Sequence, residues 1–575
     1  MPLLKRFRMV SLPFLHNAPI SRALLRILPE GLTHSIFVLE TYMGSLGRLD
    51  GPSYHNLLAK CIDNYCTEPK DLDKRLRELF STGLKHVALF DKACQKAEQL
   101  LRRGMWVATW QADSPPAPPS CPQVLFGHGN SHWDWPWITV FNSRKSKLVK
   151  PHEKWLAALR SWLPELSSLR TGIATSFGTL TYDLLAAYAK SAGVPLLIVS
   201  PMPLADTQDS KTFPFSAGEA LPYLALTCQS KAIKCPKPTR MVCRDRLLAF
   251  LADIHWVLEV RAEGNLQRIL HAQHEKQRRD LMILRPDDVT QTNRGNFRLL
   301  EAFPSAEAVS VSVEDALSAG YPASELKTMQ TDSIDGLAEK TTKESIDSVG
   351  GVIPAGKAKS SYCETVSDTS ESRGIIWQNY LYHYTRSCPG PWPDQSYQQY
   401  LLSLLRNERF CGHTALDTLI RILLEGKIRA SKKLVRGEQA VISWSAVPPI
   451  ELQKLRQWNP ALIRWTFEPY GIAIHRELAK GKGVKPVIYG REGVFAQLRH
   501  SARFRYQRHE PPNCSWKHER EWRLAGDFDL AWVSTEDGFI FVHDPADLEV
   551  LNSCIQSRLP VFILAGCSFA RDGQK

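Results

Sequence analysis

Short apolar runs that stop abruptly, separated by amphipathic stretches of about a dozen residues, dominate the middle of this chain. Ile138-Thr139-Val140-Phe141 breaks into Asn142-Ser143-Arg144-Lys145-Ser146. Trp155, Leu156, Leu159, Trp162, Leu163 and Leu166 follow with helical spacing. A second run over 171–175 breaks into Ser176-Phe177-Gly178-Thr179, a helical pattern covers Tyr182 to Ala189, and a third strand is predicted over 194–199. This alternation predicts a parallel sheet with crossover helices. Ligands of such sheets sit at the carboxyl ends of the strands. The Ser, Thr, Gly and Arg residues placed there suit phosphate.

Residues 20–102 read as mostly helical, and 104–130 as two strands joined by a Pro-rich turn. Apolar positions over 297–321 fit one more strand or a small module. From about 325 to 372, Asp, Ser, Thr, Glu and Gly replace aromatics, which reads as a disordered linker. Order returns at Trp377. A His-bearing strand spans 380–385, helices run from Tyr397 to Arg406 and Ala415 to Glu425, and strands follow near 439–445, 463–467, 471–474 and 487–489. The division expected is 1–102 helical, 103–285 α/β, 286–374 linker and 375–575 α+β.

At 575 residues, several cores are needed. The formal net charge of +13 is compatible with a polyanionic ligand without requiring one. No apolar run approaches a membrane span, and thirteen scattered cysteines without a CxxC pair read as reduced cytoplasmic thiols. Trp133, Trp135 and Trp137 are candidates for base stacking, or more simply a strand edge. His500, His509, Cys514 and His518 are zinc-ligand types, but their spacings match no familiar framework and no metal is expected. Arg499, Arg503, Arg505 and Arg508 make the same segment a candidate basic face for nucleic acid.

Leu101, Gly104, Asp113, Pro122, Val124-Leu125-Phe126, Gly129-Asn130 and 139–146 follow the motif order of the DprA/Smf family of DNA-processing proteins. The chain resembles that family, and the wider Rossmann-like superfamily with the LOG proteins, over roughly 100–285. Thr171 to Thr179 aligns with a second motif whose acidic end is missing here. Arg244 to Asp253, Glu259 and Gly264-Asn265 align with a third. The resemblance implies a Rossmann-like domain binding single-stranded nucleic acid or a nucleotide through Ser143, Arg144, Ser146, Ser176, Gly178, Thr179 and Arg244. The catalytic Arg and Glu pair of the LOG branch is not matched.

From Tyr382-His383-Tyr384-Thr385 through Ser443-Trp444-Ser445 to Glu519-Arg520-Glu521-Trp522-Arg523, the C-terminal part resembles bacterial defence and toxin proteins with the ADP-ribosyltransferase fold. That resemblance implies NAD as substrate. His383 would hold it, Ser443 would support the ring, and Glu519 or Glu521 would be the catalytic carboxylate, both on one face of a strand. Tyr384, Arg429 and Arg464 would contact the cofactor. An anti-phage defence protein that ADP-ribosylates a macromolecule or hydrolyses NAD is the leading expectation. Homo-oligomerisation is allowed and no membrane partner is expected. The alternative is a non-enzymatic single-stranded-DNA-binding protein with a C-terminal interaction module.

Overall fold

A computed structural model describes residues 25–28, 30–46, 84–110, 124–129, 136–146, 148–168, 171–202, 223–227, 236–276, 279–310, 363–365, 376–432, 435–436, 439–454, 456–459, 464–512 and 515–564. The chain divides into two compact units. One holds Met1–Ser146, Lys150–Tyr321 and Tyr397–Glu408, the other Lys147–Val149, Pro322–Ser396 and Arg409–Lys575. The linker expected over 325–372 lies almost wholly outside the described residues, as do Trp133, Trp135 and Cys514.

In the first unit a ten-stranded sheet carries seven parallel strands. Trp137–Phe141 lies between Gly172–Thr175 on one side and Ile254–Val257 on the other. Chain order runs outward in both directions from this point, through Leu196–Ser200 to Tyr223–Thr227, and through Asp280–Leu284 to Glu307–Val309. This is the doubly wound arrangement, with its switch point at the carboxyl ends of Trp137–Phe141 and Ile254–Val257. These strands are buried along their whole length, which is why they read as continuous apolar runs. Trp137 is 2 % exposed, and its ring lies where a Cβ on Gly172 would sit, so it packs the sheet interior.

The apolar positions near 297–321 supply a helix, Arg294–Ala302, and the last strand of this same sheet. Asn296 explains the tight join. Fully buried, it donates to the carbonyls of Leu258 (2.6 Å) and Leu284 (2.8 Å) and accepts from the Val260 N–H (2.8 Å). The short strand Leu25–Ile27 was not foreseen in the helical N-terminal region; helices Glu30–Leu46 and Leu84–Arg102 were. Tyr397–Arg406 clusters with this unit, where the buried Arg160 donates to the Leu404 carbonyl from Nε and Nη2.

The second unit is built on an eight-stranded sheet. Tyr380–Tyr384 pairs antiparallel with Gly471–His475, and Val441–Ser445 pairs antiparallel with Glu521–Ala525. Aliphatic side chains such as Leu381, Leu419, Ile420, Ile442 and Ile472 form one core. An aromatic cluster of Tyr382, Tyr384, Phe467, Phe539 and Phe541 forms another. Helix Ala415–Glu425 starts with a Thr414/Asp417 capping box and ends at Gly426 in the left-handed conformation (φ 66°). Its bounds are those the sequence predicts, because both end signals are local.

Candidate functional site

Tyr380–Tyr384 and Val441–Ser445 are neighbours, yet their ladder is one residue pair long, Tyr382 opposite Ser445. Beyond it the strands part, and the His383 ring takes the carbonyl that a backbone N–H would have bound: Nδ1 lies 3.0 Å from the Ser443 oxygen. A carbonyl only accepts, so Nδ1 carries the proton and Nε2 is left as an acceptor. Burial lowers the His383 pKa to about 4, which keeps the ring neutral.

The parting of these strands opens a cleft of about 360 Å³, its mouth included, lined by Tyr382, His383, Tyr384, Arg386, Ser443, Trp444, Ser445, Phe467, Glu519 and Glu521. Gly471 makes the strand geometry possible from behind. A Cβ there would lie 2.2 Å from the His383 carbonyl oxygen.

The two carboxylates differ in environment. The Ser443 hydroxyl donates to Glu521 at 2.6 Å, and Arg523 donates to both Glu521 oxygens at 2.8 and 3.0 Å. Arg523 is 3 % exposed and also binds the carbonyls of Phe504 and Tyr506. Glu521 is therefore a carboxylate held in place by two fixed partners. Burial raises the Glu519 pKa to about 7, with Glu521 adding to the rise and Arg386 opposing it. A carboxyl that exchanges its proton near neutrality suits general acid–base work.

The expectation that both acids share one face of a strand needs correction. Glu519 ends a short 3-10 turn, Arg520 is left-handed (φ 46°), and the strand begins only at Glu521. The reversal at Arg520, not strand periodicity, brings both into one cleft.

Of the other residues expected here, Tyr384 lines the cleft with its ring, its hydroxyl donating to the Val447 carbonyl at 2.7 Å. Arg429 does not line the cleft; it is exposed and paired with Glu425 at 2.6 Å. Arg464, on the short strand Arg464–Trp465, is not a lining residue either, although it lies close enough to Arg386 for the two charges to repel. Sequence reasoning missed Arg386. Its guanidinium lies 5.1 Å from the Phe467 ring centre, and its buried Nε has no hydrogen-bond partner among the described residues. It sits past the end of the strand, where alternation no longer reports which side chains share a face.

The arginines near 499–508 are partly used within the fold. Arg503 Nε donates to the Leu498 carbonyl, Arg505 Nε to that of Pro486, and Arg508 pairs with Glu510. Of the histidines and cysteine weighed for zinc, His509 Nδ1 accepts from the Trp516 N–H. Among the described residues His543, Asp544 and Asp547 have ligand atoms close together, but Asp544 and Asp547 form the capping box of helix Pro545–Cys554.

In the first unit, residues 142–146 and 176–179 leave adjacent parallel strands at the same edge. Asn142 donates to the Thr181 hydroxyl (3.1 Å), Ser143 N–H to the Glu259 carbonyl (2.7 Å), and Arg261 N–H to the Ser143 hydroxyl (3.0 Å). Lys145 forms an ion pair with Glu259.

Several residues expected to bind phosphate have their donors engaged within the protein. The Ser176 hydroxyl donates to the Val199 carbonyl, and the Gly178 N–H to Asp183. Arg244 lies mid-helix, 4 % exposed, paired with Asp245 at 2.7 Å and stacked on Tyr182. Burial outweighs that pairing and raises the Asp245 pKa. Arg144 and Ser146 are exposed and Thr179 half-buried.

Among solved structures, the DNA processing protein A of Helicobacter pylori, studied for its single-stranded DNA binding mode, aligns at 17% identity. The match covers 35% of this chain and 91% of that one, with a TM-score of 0.27. DprA of Streptococcus pneumoniae aligns at 17% identity over 52% of this chain and 95% of its own, with a TM-score of 0.29. TM-scores this low carry no functional statement for this chain. No family model and no curated protein matches it. Among the described residues no helix is long and apolar enough to cross a membrane.

Proposed function

We propose that the second unit cleaves the glycosidic bond of NAD and passes ADP-ribose to an acceptor, water included. The observation that carries this reading is the convergence of His383, Ser443, Glu519, Glu521 and Arg386 in one aromatic-walled cleft. The neutral His383 Nε2 accepts a ribose hydroxyl. The rings of Tyr384, Trp444 and Phe467 flank the nicotinamide, and Arg386 meets a phosphate. The bond from ribose C1′ to the pyridinium nitrogen breaks, and its electron pair neutralises the departing nicotinamide. The acceptor bonds to C1′ and its proton passes to the Glu519 carboxylate. Glu521, held by Arg523, fixes Ser443 and lends negative charge opposite the developing oxocarbenium ion.

The test is incubation of the full chain with NAD labelled in its nicotinamide and, separately, in its adenylate. Release of nicotinamide is expected, with adenylate label in ADP-ribose or on a macromolecule. Arg386→Ala is expected to raise KM about tenfold or more and to change kcat less, since it removes a charge-assisted contact made before and during reaction. An unchanged KM would remove Arg386 from the site.

A second reading concerns the first unit and is favoured by the switch point, where the hydrogen bonds of Asn142 and Ser143 tie the loops to one edge. We infer that a phosphate-bearing ligand, a nucleotide or single-stranded nucleic acid, meets Arg144, Ser146 and Thr179 there. Arg144→Ala is expected to weaken oligonucleotide binding and to lower the slope of log affinity against log salt by about one phosphate contact, roughly 0.7 for a single strand. An unchanged slope would place the contact elsewhere.

A further inference from the structure

Two side chains that no step above uses hold both ends of the turn that carries Glu519. Residues 516–521 run from the residue before the 3-10 turn to the first residue of the next strand, through left-handed Arg520. A non-glycine residue persists in that conformation only where its surroundings fix it. At the far end the Glu521 N–H donates to the Tyr489 hydroxyl at 2.9 Å. At the near end the Trp516 N–H donates to His509 Nδ1 at 3.2 Å. The two rings meet edge to face, 5.8 Å between centres.

Both rings come from one small element. Ile488–Gly490 pairs parallel with Tyr506–Arg508, and the His509 N–H continues the pairing by donating to the Gly490 carbonyl at 2.9 Å. Just before it an ordinary ladder stops short. Lys485 and Pro486 lie opposite Arg523 and Trp522, and the Val487 N–H donates to the Glu521 carbonyl at 2.9 Å. A regular antiparallel pair would return the Glu521 N–H to the Val487 carbonyl. Here it goes to the phenol two residues further on. Burial raises the Tyr489 pKa to about 12, with the charges of Glu521 and Glu519 adding to the rise, so the phenol stays a neutral hydroxyl.

We infer that Tyr489 and His509 form a clamp on residues 516–521 and are positioning residues for Glu519. Neither lines the cleft. The Ser445 hydroxyl and the Ala446 N–H bind the Glu519 and Arg520 carbonyls at 2.7 and 3.1 Å, so the middle of the turn is held by its carbonyls and its two ends by the clamp. Released at either end, Arg520 relaxes and Glu519 moves from the cleft toward water. The clamp stands on these contacts alone; its effect on turnover rests on the NAD reading.

The test is Tyr489→Phe in the full chain, which removes the hydroxyl and keeps the ring. With NAD as substrate, kcat should fall about tenfold or more while KM stays within about twofold. The midpoint of activity against pH should move below about 7, because a Glu519 open to water loses the burial that raises its pKa. A residue that served stability alone would leave that midpoint in place. His509→Leu should act in the same direction. His509→Gln, whose amide oxygen can accept the same N–H, should keep most of the parent's kcat. A readout independent of NAD is the gap in melting temperature between Glu519→Gln and the parent at pH 8, which should shrink when both carry Tyr489→Phe. Parent kcat and midpoint in Tyr489→Phe or His509→Leu, or an unchanged gap, overturn the clamp. A gap that shrinks in a protein that releases no nicotinamide leaves the clamp standing and removes the NAD reading instead.

Discussion

Glu519→Gln is expected to lower NAD turnover about 100- to 10,000-fold, the range a positioned general base contributes. Parent activity should rise with pH through a single ionisation near 7, since burial holds the Glu519 proton up to about that pH and only the carboxylate can take the acceptor's proton. The residual activity of the variant should be flat across the same window.

The same substitution should make the protein more stable in alkali. The folded state holds the Glu519 proton more tightly than the unfolded chain, so stability falls as pH rises from about 4.5 to about 7. At ~1.4 kcal/mol per pH unit that interval amounts to about 3 kcal/mol, an upper bound for a cleft open to water. Glutamine has no proton to lose. The variant should therefore melt above the parent at pH 8 and together with it at pH 4. His383 acts in the opposite sense and equally in both proteins. Its pKa is lowered to about 4, so stability is lost as pH falls below its ordinary value of 6.5. A variant that kept parent turnover would end the proposed role of Glu519.

Arg523→Met should cost about 3–5 kcal/mol in unfolding free energy, the penalty for stranding one partner of a buried ion pair. Its guanidinium binds both Glu521 oxygens, the Phe504 and Tyr506 carbonyls and the Gln507 side chain at 2.6 Å. Lysine keeps the charge but not the fork, so Arg523→Lys should fall between. The double change Arg523→Met with Glu521→Leu should cost less than the two singles added, because it leaves no unpaired carboxylate. Urea unfolding followed by tryptophan fluorescence measures all of these. A loss for Arg523→Met below about 1 kcal/mol would mean that water already screens the pair.

Local signals reported local structure well. Thr414, Asp417 and Gly426 bracket a helix because capping is settled within a few residues. The buried strands around 137–141 and 172–175 were readable because strands covered on both faces are apolar at every position. Phosphate contacts were harder. Ser176 and Arg244 have the right chemistry at plausible places, but a hydroxyl or guanidinium turned into the protein bonds Val199 or Asp245 instead, and residue type does not tell the two cases apart.

Taken alone, the chain's order of apolar runs, caps and polar breaks determined the strand–helix alternation of the first unit, while His383, Ser443, Glu519 and Glu521 became residues of interest through the resemblance of the C-terminal part to the ADP-ribosyltransferase fold. The tertiary structure decided that Glu519 keeps its proton up to about pH 7, because that depends on its burial in the cleft, with Glu521 adding to the rise and Arg386 opposing it. It also placed Arg386 in the cleft and Arg429 outside it. Proton affinity and ligand contact are set by what surrounds a side chain in space, and those neighbours come from strands far apart in sequence.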